Sequence, residues 1–337
     1  MIRTVALMGT IVTIHVVDDG ADDPCGTEET VERAFGWFRQ VEACCTRFDA
    51  QSEVMQLTSK IGVPVRASEL LYEAVQFALA VAQESGGAFD PTVGYAMETR
   101  GFNREYRTGH VIHTDLAPAG AVSYRDVRVN PDRKTITLLR PLVLDLGAVA
   151  KGLAIDMAAR ELQPFENYAI DAGGDLYLAG CGPDEEPWSV GIRHPRQDHQ
   201  LIDALRVSDM AVCTSGDYER RSAGEAGDHH ILDPRTSASA NAVASVTVVA
   251  PTAMSADALA TAAFVLGPTD GIQLLERQCV NGLIVSPTLE CYATQGLSAS
   301  GPTILSNAER PSHPRLRGSD GHGRDERGHQ AGGAWSG

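Results

Sequence analysis

The chain is short of positive charge: 28 Lys and Arg stand against 44 Asp and Glu, a formal net charge of −16 over 337 residues. A surface of that sign repels phosphate backbones and anionic headgroups, so no nucleic-acid partner is expected. An anionic small ligand would need a local cation. No apolar run approaches the ~20 residues that cross a bilayer, so no membrane span is expected. The opening residues, Met1-Ile2-Arg3-Thr4-Val5-Ala6-Leu7-Met8-Gly9-Thr10, lack the apolar segment and small-residue cleavage site of an export signal, and no lipid-anchoring Cys follows. The seven cysteines are odd in number and include no Cys-x-x-Cys; Cys44 and Cys45 are adjacent within a helical pattern, where neighbouring side chains diverge. Neither a disulfide framework nor a zinc site is expected, and these absences point to a reducing, cytoplasmic setting. No period of about 20 to 50 residues marks a repeat protein.

What is present is ordinary for a globular enzyme: 43% hydrophobic and 21% charged residues, in a chain long enough for one large domain or two smaller ones. Residues 9–17 alternate and are rich in Thr, Val and Ile, as a first strand would be. From Thr27, apolar residues recur at Val31, Phe35, Phe38, Val41, Cys45 and Phe48, the spacing of an amphipathic helix with Glu28 and Glu29 in its first turn. A second helix spans residues 68–85, opened by Ser68 and stopped by Gly86-Gly87, and a third spans 147–162. Residues 135–146 read as a strand pair or as one strand running into a loop. Residues 168–180, 188–193 and 243–250 are strand-like, bounded by Gly, Pro and Asp. Strands and helices alternate without a βαβ repeat, so the expectation is a mixed α/β (α+β) fold over residues 1–305, one large domain of two packed subdomains. Residues 306–337 carry almost no aliphatic side chains and are expected to be a disordered polar tail.

Two segments carry chemistry. His229-His230-Ile231-Leu232-Asp233-Pro234-Arg235-Thr236 offers an imidazole that titrates near neutral pH. In Ser255-Ala256-Asp257-Ala258-Leu259-Ala260-Thr261, Asp257 and Thr261 are four residues apart in a helix-forming run, on one face, where two hard oxygens address one point. Mg2+ accepts such a partial oxygen set and fills its remaining positions with water or substrate phosphate, so the pair implies a phosphate-bearing ligand. Each residue also has an everyday role: Asp near a helix start caps or complements the dipole, and Thr in a helix bonds its own backbone.

Six blocks in order resemble the ApbE family of FAD:protein FMN transferases. They are Met8-Gly9-Thr10; Arg47-Phe48-Asp49 with Ser52-Glu53; Gly87-Ala88-Phe89-Asp90-Pro91-Thr92-Val93-Gly94; Asp145-Leu146-Gly147-Ala148-Val149-Ala150-Lys151-Gly152; Thr214-Ser215-Gly216-Asp217-Tyr218 leading to His230 through Thr236; and Ala250-Pro251-Thr252 leading to Asp257 and Thr261. The resemblance implies an enzyme that takes FAD as substrate and Mg2+ as cofactor, cleaves the pyrophosphate, joins FMN through its phosphate to a Thr or Ser of an acceptor flavoprotein, and releases AMP. It implies that Met8, Phe48, Ala88, Phe89, Asp90, Asp145, Lys151 and Ile231 lie along the FAD. It gives Ala148 (through its carbonyl), Asp257 and Thr261 to the metal, and His230 the role of base. Lys151, near the start of a helix whose free N–H groups also favour anions, fits phosphate binding on chemical grounds alone.

Two competing readings are an FAD pyrophosphatase, in which water replaces the acceptor, and a protein that binds FAD without chemistry. One departure concerns shape: Ser237 follows Thr236 where family members commonly have Gly, and Ser disfavours the positive φ that Gly permits.

Overall fold

The computed structural model describes residues 1–17, 24–106, 108–114, 116, 120–219 and 228–298; the expected polar tail lies outside the described residues. β1 (Ile2–Leu7) and β2 (Thr10–Val16) form an antiparallel hairpin, and alternation along β2 buries Val12, Ile14 and Val16. α1 (Pro24–Cys45) buries Val31, Phe35, Phe38, Val41 and Cys45, the stripe visible in sequence. It begins earlier than that stripe suggests, with proline as its first residue, so Glu28 and Glu29 lie beyond its first turn.

α2 (Glu53–Thr58) and α3 (Glu69–Glu84) are capped by the hydroxyls of Ser52 and Ser68, and Gly86 and Gly87 end α3 at φ 64° and 87°. α4 (Gly94–Thr99) follows a short 3-10 turn at Pro91–Val93. A small sheet of β3 (Val65–Arg66), β4 (Val127–Asn130) and β5 (Thr135–Leu138) has the order β3-β5-β4. Past β5 the chain runs irregularly to α5 (Gly147–Glu161), which decides for the single strand and loop.

β6 (Tyr168–Ala172) and β7 (Asp175–Ala179) are a hairpin, as are β8 (Trp188–Arg193) and β9 (Leu201–Val207). β10 (Met210–Gly216) precedes the small pair β11 (Leu232–Asp233) and β12 (Ala238–Ser239), and β13 (Ser245–Ala250) leads into α6 (Ala253–Leu266). α7 (Pro268–Arg277), β14 (Asn281–Val285), β15 (Cys291–Ala293) and α8 (Gln295–Ser298) complete the described chain.

The main sheet has eight strands in the order β1-β2-β6-β7-β10-β13-β14-β15, antiparallel throughout. Alternate residues of β6 show its two faces: Ile170 belongs to the large core shared with α1, α5 and α6, whereas Ala169 packs with Trp188, Val190 and Val207 of the β8–β9 hairpin. The chain is therefore a mixed α/β fold, as its element pattern suggested.

Candidate active site

Strand register gathers one end of the sheet. Leu7 pairs with Thr10, Val12 with Ala172, Ala172 with Asp175, Val212 with Leu176 and Gly216 with Ser245. The Met8-Gly9 turn, the Gly173-Gly174 turn, Asp175 and Ser215 consequently share an edge. At Gly173 (φ 68°) an added Cβ would lie 2.1 Å from Thr10 Oγ1, so only glycine lets these two turns approach.

Onto this edge α5 and α6 bring their side chains. An added Cβ at Gly152 would lie 2.4 Å from Met254 Cα and 2.5 Å from the Ala253 carbonyl, so the helices cross with their backbones almost in contact. α6 is alanine-rich and covered nearly all round, with Ala256, Ala258, Ala260, Ala262, Ala263 and Phe264 buried. Asp257 is buried in that setting, 6% exposed, because packing by α5 and the sheet covers it. Asp175 is 2% exposed.

Burying a carboxylate costs several kcal/mol unless a cation or donors compensate. Lys151 supplies the cation: its Nζ contacts Asp175 Oδ2 and lies 3.7 Å from Asp257 Oδ2. Asp175 Oδ1 also accepts from the Thr214 amide at 3.2 Å. One turn beyond Asp257, Thr261 Oγ1 lies 3.3 Å from Ser215 Oγ, and Thr214 Oγ1 lies 2.9 Å from Thr247 Oγ1. Lys151, Asp257 and Thr261 thus lie close together, with Ala148 half-buried one turn before Gly152 on α5. Burial also raises the carboxyl of nearby Asp171 above its ordinary value, against the Gly174 amide and Lys151.

A second group lies ahead of α5. Arg47 is buried and donates to Asp145 Oδ2 at 2.6 Å and to the Phe102 carbonyl, while its guanidinium sits 4.3 Å from the Phe48 ring centroid. Asp145 Oδ1 accepts from the Gly147 amide at 2.8 Å, fixing the entry to α5. The Asp145 amide bonds the Pro91 carbonyl at 2.8 Å, which draws in the segment Ala88-Phe89-Asp90, all three buried. Asp90 accepts from the Thr92 amide and hydroxyl and from the Tyr124 amide, and burial raises its carboxyl above the ordinary value despite them. Met8, half-buried at φ 50°, precedes Gly9, whose added Cβ would touch the Tyr106 ring at 3.2 Å.

The two adjacent histidines have different surroundings. His229 is 2% exposed; its Nε2 is 2.7 Å from the Ala240 carbonyl, its Nδ1 accepts from the Ile231 amide at 3.3 Å, and its ring stands edge-on to Phe264 at 5.6 Å. It pins the loop to α6 one turn beyond Thr261. His230 is half-buried, and Ile231 beside it is buried. Arg100 grips the same loop, with its Nη1 3.1 and 3.0 Å from the two Asp228 oxygens and its Nε on the Ser237 carbonyl. Ser237 has φ 55°, so serine adopts the left-handed conformation that glycine would take more easily.

Sequence reasoning missed Asp175, Arg47 and Asp156, which bonds the first amides of α6. Arg47 directly precedes Phe48 and Asp175 directly follows the Gly173-Gly174 turn, but no local signal in the sequence gives their burial.

The ApbE family profile matches residues 8–284. A FAD:protein FMN transferase of Haemophilus influenzae is 27% identical over 307 residues, 87% of this chain and 88% of that protein. One of Treponema pallidum is 31% identical over 295 residues, 79% of this chain and 80% of that protein. The crystal structure of an ApbE protein from Thermotoga maritima, 29% identical, superposes with a TM-score of 0.76 over 89% of this chain and 98% of that one. From the profile match and the shared fold, the chain belongs to the ApbE family.

Proposed function

We propose that the chain is an FAD:protein FMN transferase, using Mg2+ to transfer FMN from FAD to a Thr or Ser hydroxyl of an acceptor flavoprotein. The observation that carries this reading is the meeting of Lys151 with the two buried carboxylates of Asp175 and Asp257, and with Thr261 one turn beyond Asp257, beside the first turns of α5. The donor set fits the metal. Among the described residues no group of three or more His, Cys, Asp or Glu converges, which disfavours zinc-like ligation. Asp257, Thr261 and the Ala148 carbonyl instead offer hard oxygens of the kind Mg2+ takes, and bound Mg2+ supplies charge stabilisation to the pyrophosphate.

The protein's own groups do the rest. Lys151 binds a phosphate oxygen, and the positive end of the α5 dipole adds to the field there. Met8, Phe48, Ala88, Phe89, Asp90, Asp145 and Ile231 line the flavin nucleotide, with Arg47 holding Asp145 and Phe48 still. His230 takes the acceptor's hydroxyl proton as that oxygen bonds to the FMN phosphorus; the bond from that phosphorus to the bridging oxygen breaks, and AMP leaves.

Incubation with FAD and Mg2+, with and without a candidate acceptor, tests this. Covalent FMN on the acceptor with stoichiometric AMP supports transfer. Free FMN and AMP alone, acceptor or not, would identify a pyrophosphatase, and unchanged bound FAD a storage protein.

A further inference from the structure

The metal residues of this site come from two helices, so their spacing depends on how far one helix slides along the other. Ala148, Gly152 and Asp156 recur every fourth residue and form one stripe of α5. Gly152 abuts Ala253 and Met254. Asp156, the next member of the stripe, accepts two hydrogen bonds from the start of α6: Oδ1 from the Ala253 amide at 2.7 Å and Oδ2 from the Met254 amide at 3.0 Å. Thr252 Oγ1 accepts from the Ser255 amide at 3.3 Å, so Thr252 caps its own helix while Asp156 ties it to another.

We infer that Asp156 is a positioning residue that fixes the axial register of α6 against α5 and so sets the distance from Asp257 and Thr261 to Ala148 and Lys151. The contacts run in opposite senses, Asp156 to Ala253 and Lys151 to Asp257, so the helices are antiparallel. At ~1.5 Å per residue, four residues back from Gly152 and four on from Ala253 each cover ~6 Å, which brings Ala148 level with the Asp257 region. A bidentate carboxylate resists sliding because movement along the axis breaks one or both bonds. Burial pushes the Asp156 carboxyl up to about 6, although the two amide donors favour its charged form and pull the other way. Glycine at position 152 permits the approach; it does not select the register, since it has no side chain to lock.

This inference rests on the metal reading proposed above, and Mn2+ binding to the whole chain, followed by its free electron-resonance signal, separates the two. Asp156→Ala is expected to weaken Mn2+ binding tenfold or more, while FAD affinity by flavin fluorescence changes less than threefold. Asp156→Asn keeps one acceptor and the side-chain volume; it should fold even if the alanine variant does not, and weaken Mn2+ at least threefold. Mn2+ affinity within twofold of the parent in Asp156→Asn, or in a folded Asp156→Ala with a lowered Tm, overturns the register role and leaves only a helix cap. If the parent binds no Mn2+, or Asp257→Ala binds it equally well, the metal reading fails and the register role falls with it.

Discussion

Lys151 Nζ lies 3.7 Å from Asp257 Oδ2, joining the fifth residue of α5 to the fifth residue of α6. The same ammonium contacts Asp175, so one cation serves two buried carboxylates. Removing the cation and removing one anion therefore have unequal consequences.

Lys151→Met leaves Asp175 and Asp257 facing each other without that charge, and a loss of about 3–5 kcal/mol is expected. Asp257→Ala leaves Lys151 with Asp175 and should cost less, while abolishing Mg2+-dependent FAD turnover. Urea unfolding of both variants gives the order. A larger loss for Asp257→Ala would mean that Lys151 is not its main compensation.

For the histidines, His230→Ala is expected to slow FMN transfer by about 10²- to 10⁴-fold with FAD affinity and Tm kept. His229→Ala should instead cost about 1–3 kcal/mol of stability, because it strips partners from the Ala240 carbonyl and the Ile231 amide. Steady-state rates alongside melting curves distinguish the two. A catalytic defect of equal size in a stable His229→Ala protein would move the base by one residue.

Ser237→Gly should stabilise the chain by about 0.5–1 kcal/mol, since glycine reaches φ 55° without the Cβ penalty but has more unfolded freedom to lose. Denaturant midpoints check this; a destabilised glycine variant would show that the serine side chain contributes more than its backbone strain costs.

Gly152→Ala places a methyl within 2.4 Å of Met254 Cα. Backbone atoms cannot swing aside as a side chain would, so α5 and α6 must part, with a loss of about 1–3 kcal/mol or more and of FAD turnover. Normal activity in a stable Gly152→Ala protein would contradict the close crossing.

Asp156 titrates at about 6 in the folded chain, against ~3.9 for an unfolded aspartate. The folded state then binds the extra proton between those values. Its stabilising contribution is fully present below about pH 4 and is lost as pH rises through about 6. Asp156→Asn cannot titrate, so the stability of the parent minus that of this variant should fall over that window. A difference that grows with pH would place the native value below the unfolded one.

The sequence by itself determined the local elements and the chemical inventory. The Val31–Phe35–Phe38–Val41 stripe fixes a buried helix face, Ser68 and Gly86-Gly87 bound a helix, and Asp257 and Thr261 share a face because the helical period puts them there. These depend on neighbours within a few residues, which is what a sequence displays. Only the tertiary structure decided that Asp257 is buried, that Lys151 lies between Asp257 and Asp175, and that Asp156 bonds a helix 97 residues further on. Each arises where strands or helices distant in sequence meet, and neither residue of such a pair carries a local signature of the other. His229 and His230 show the limit: alternation along an extended segment predicts that they face opposite ways, but which one is pinned was decided by Ala240 and Phe264 closing over the ring.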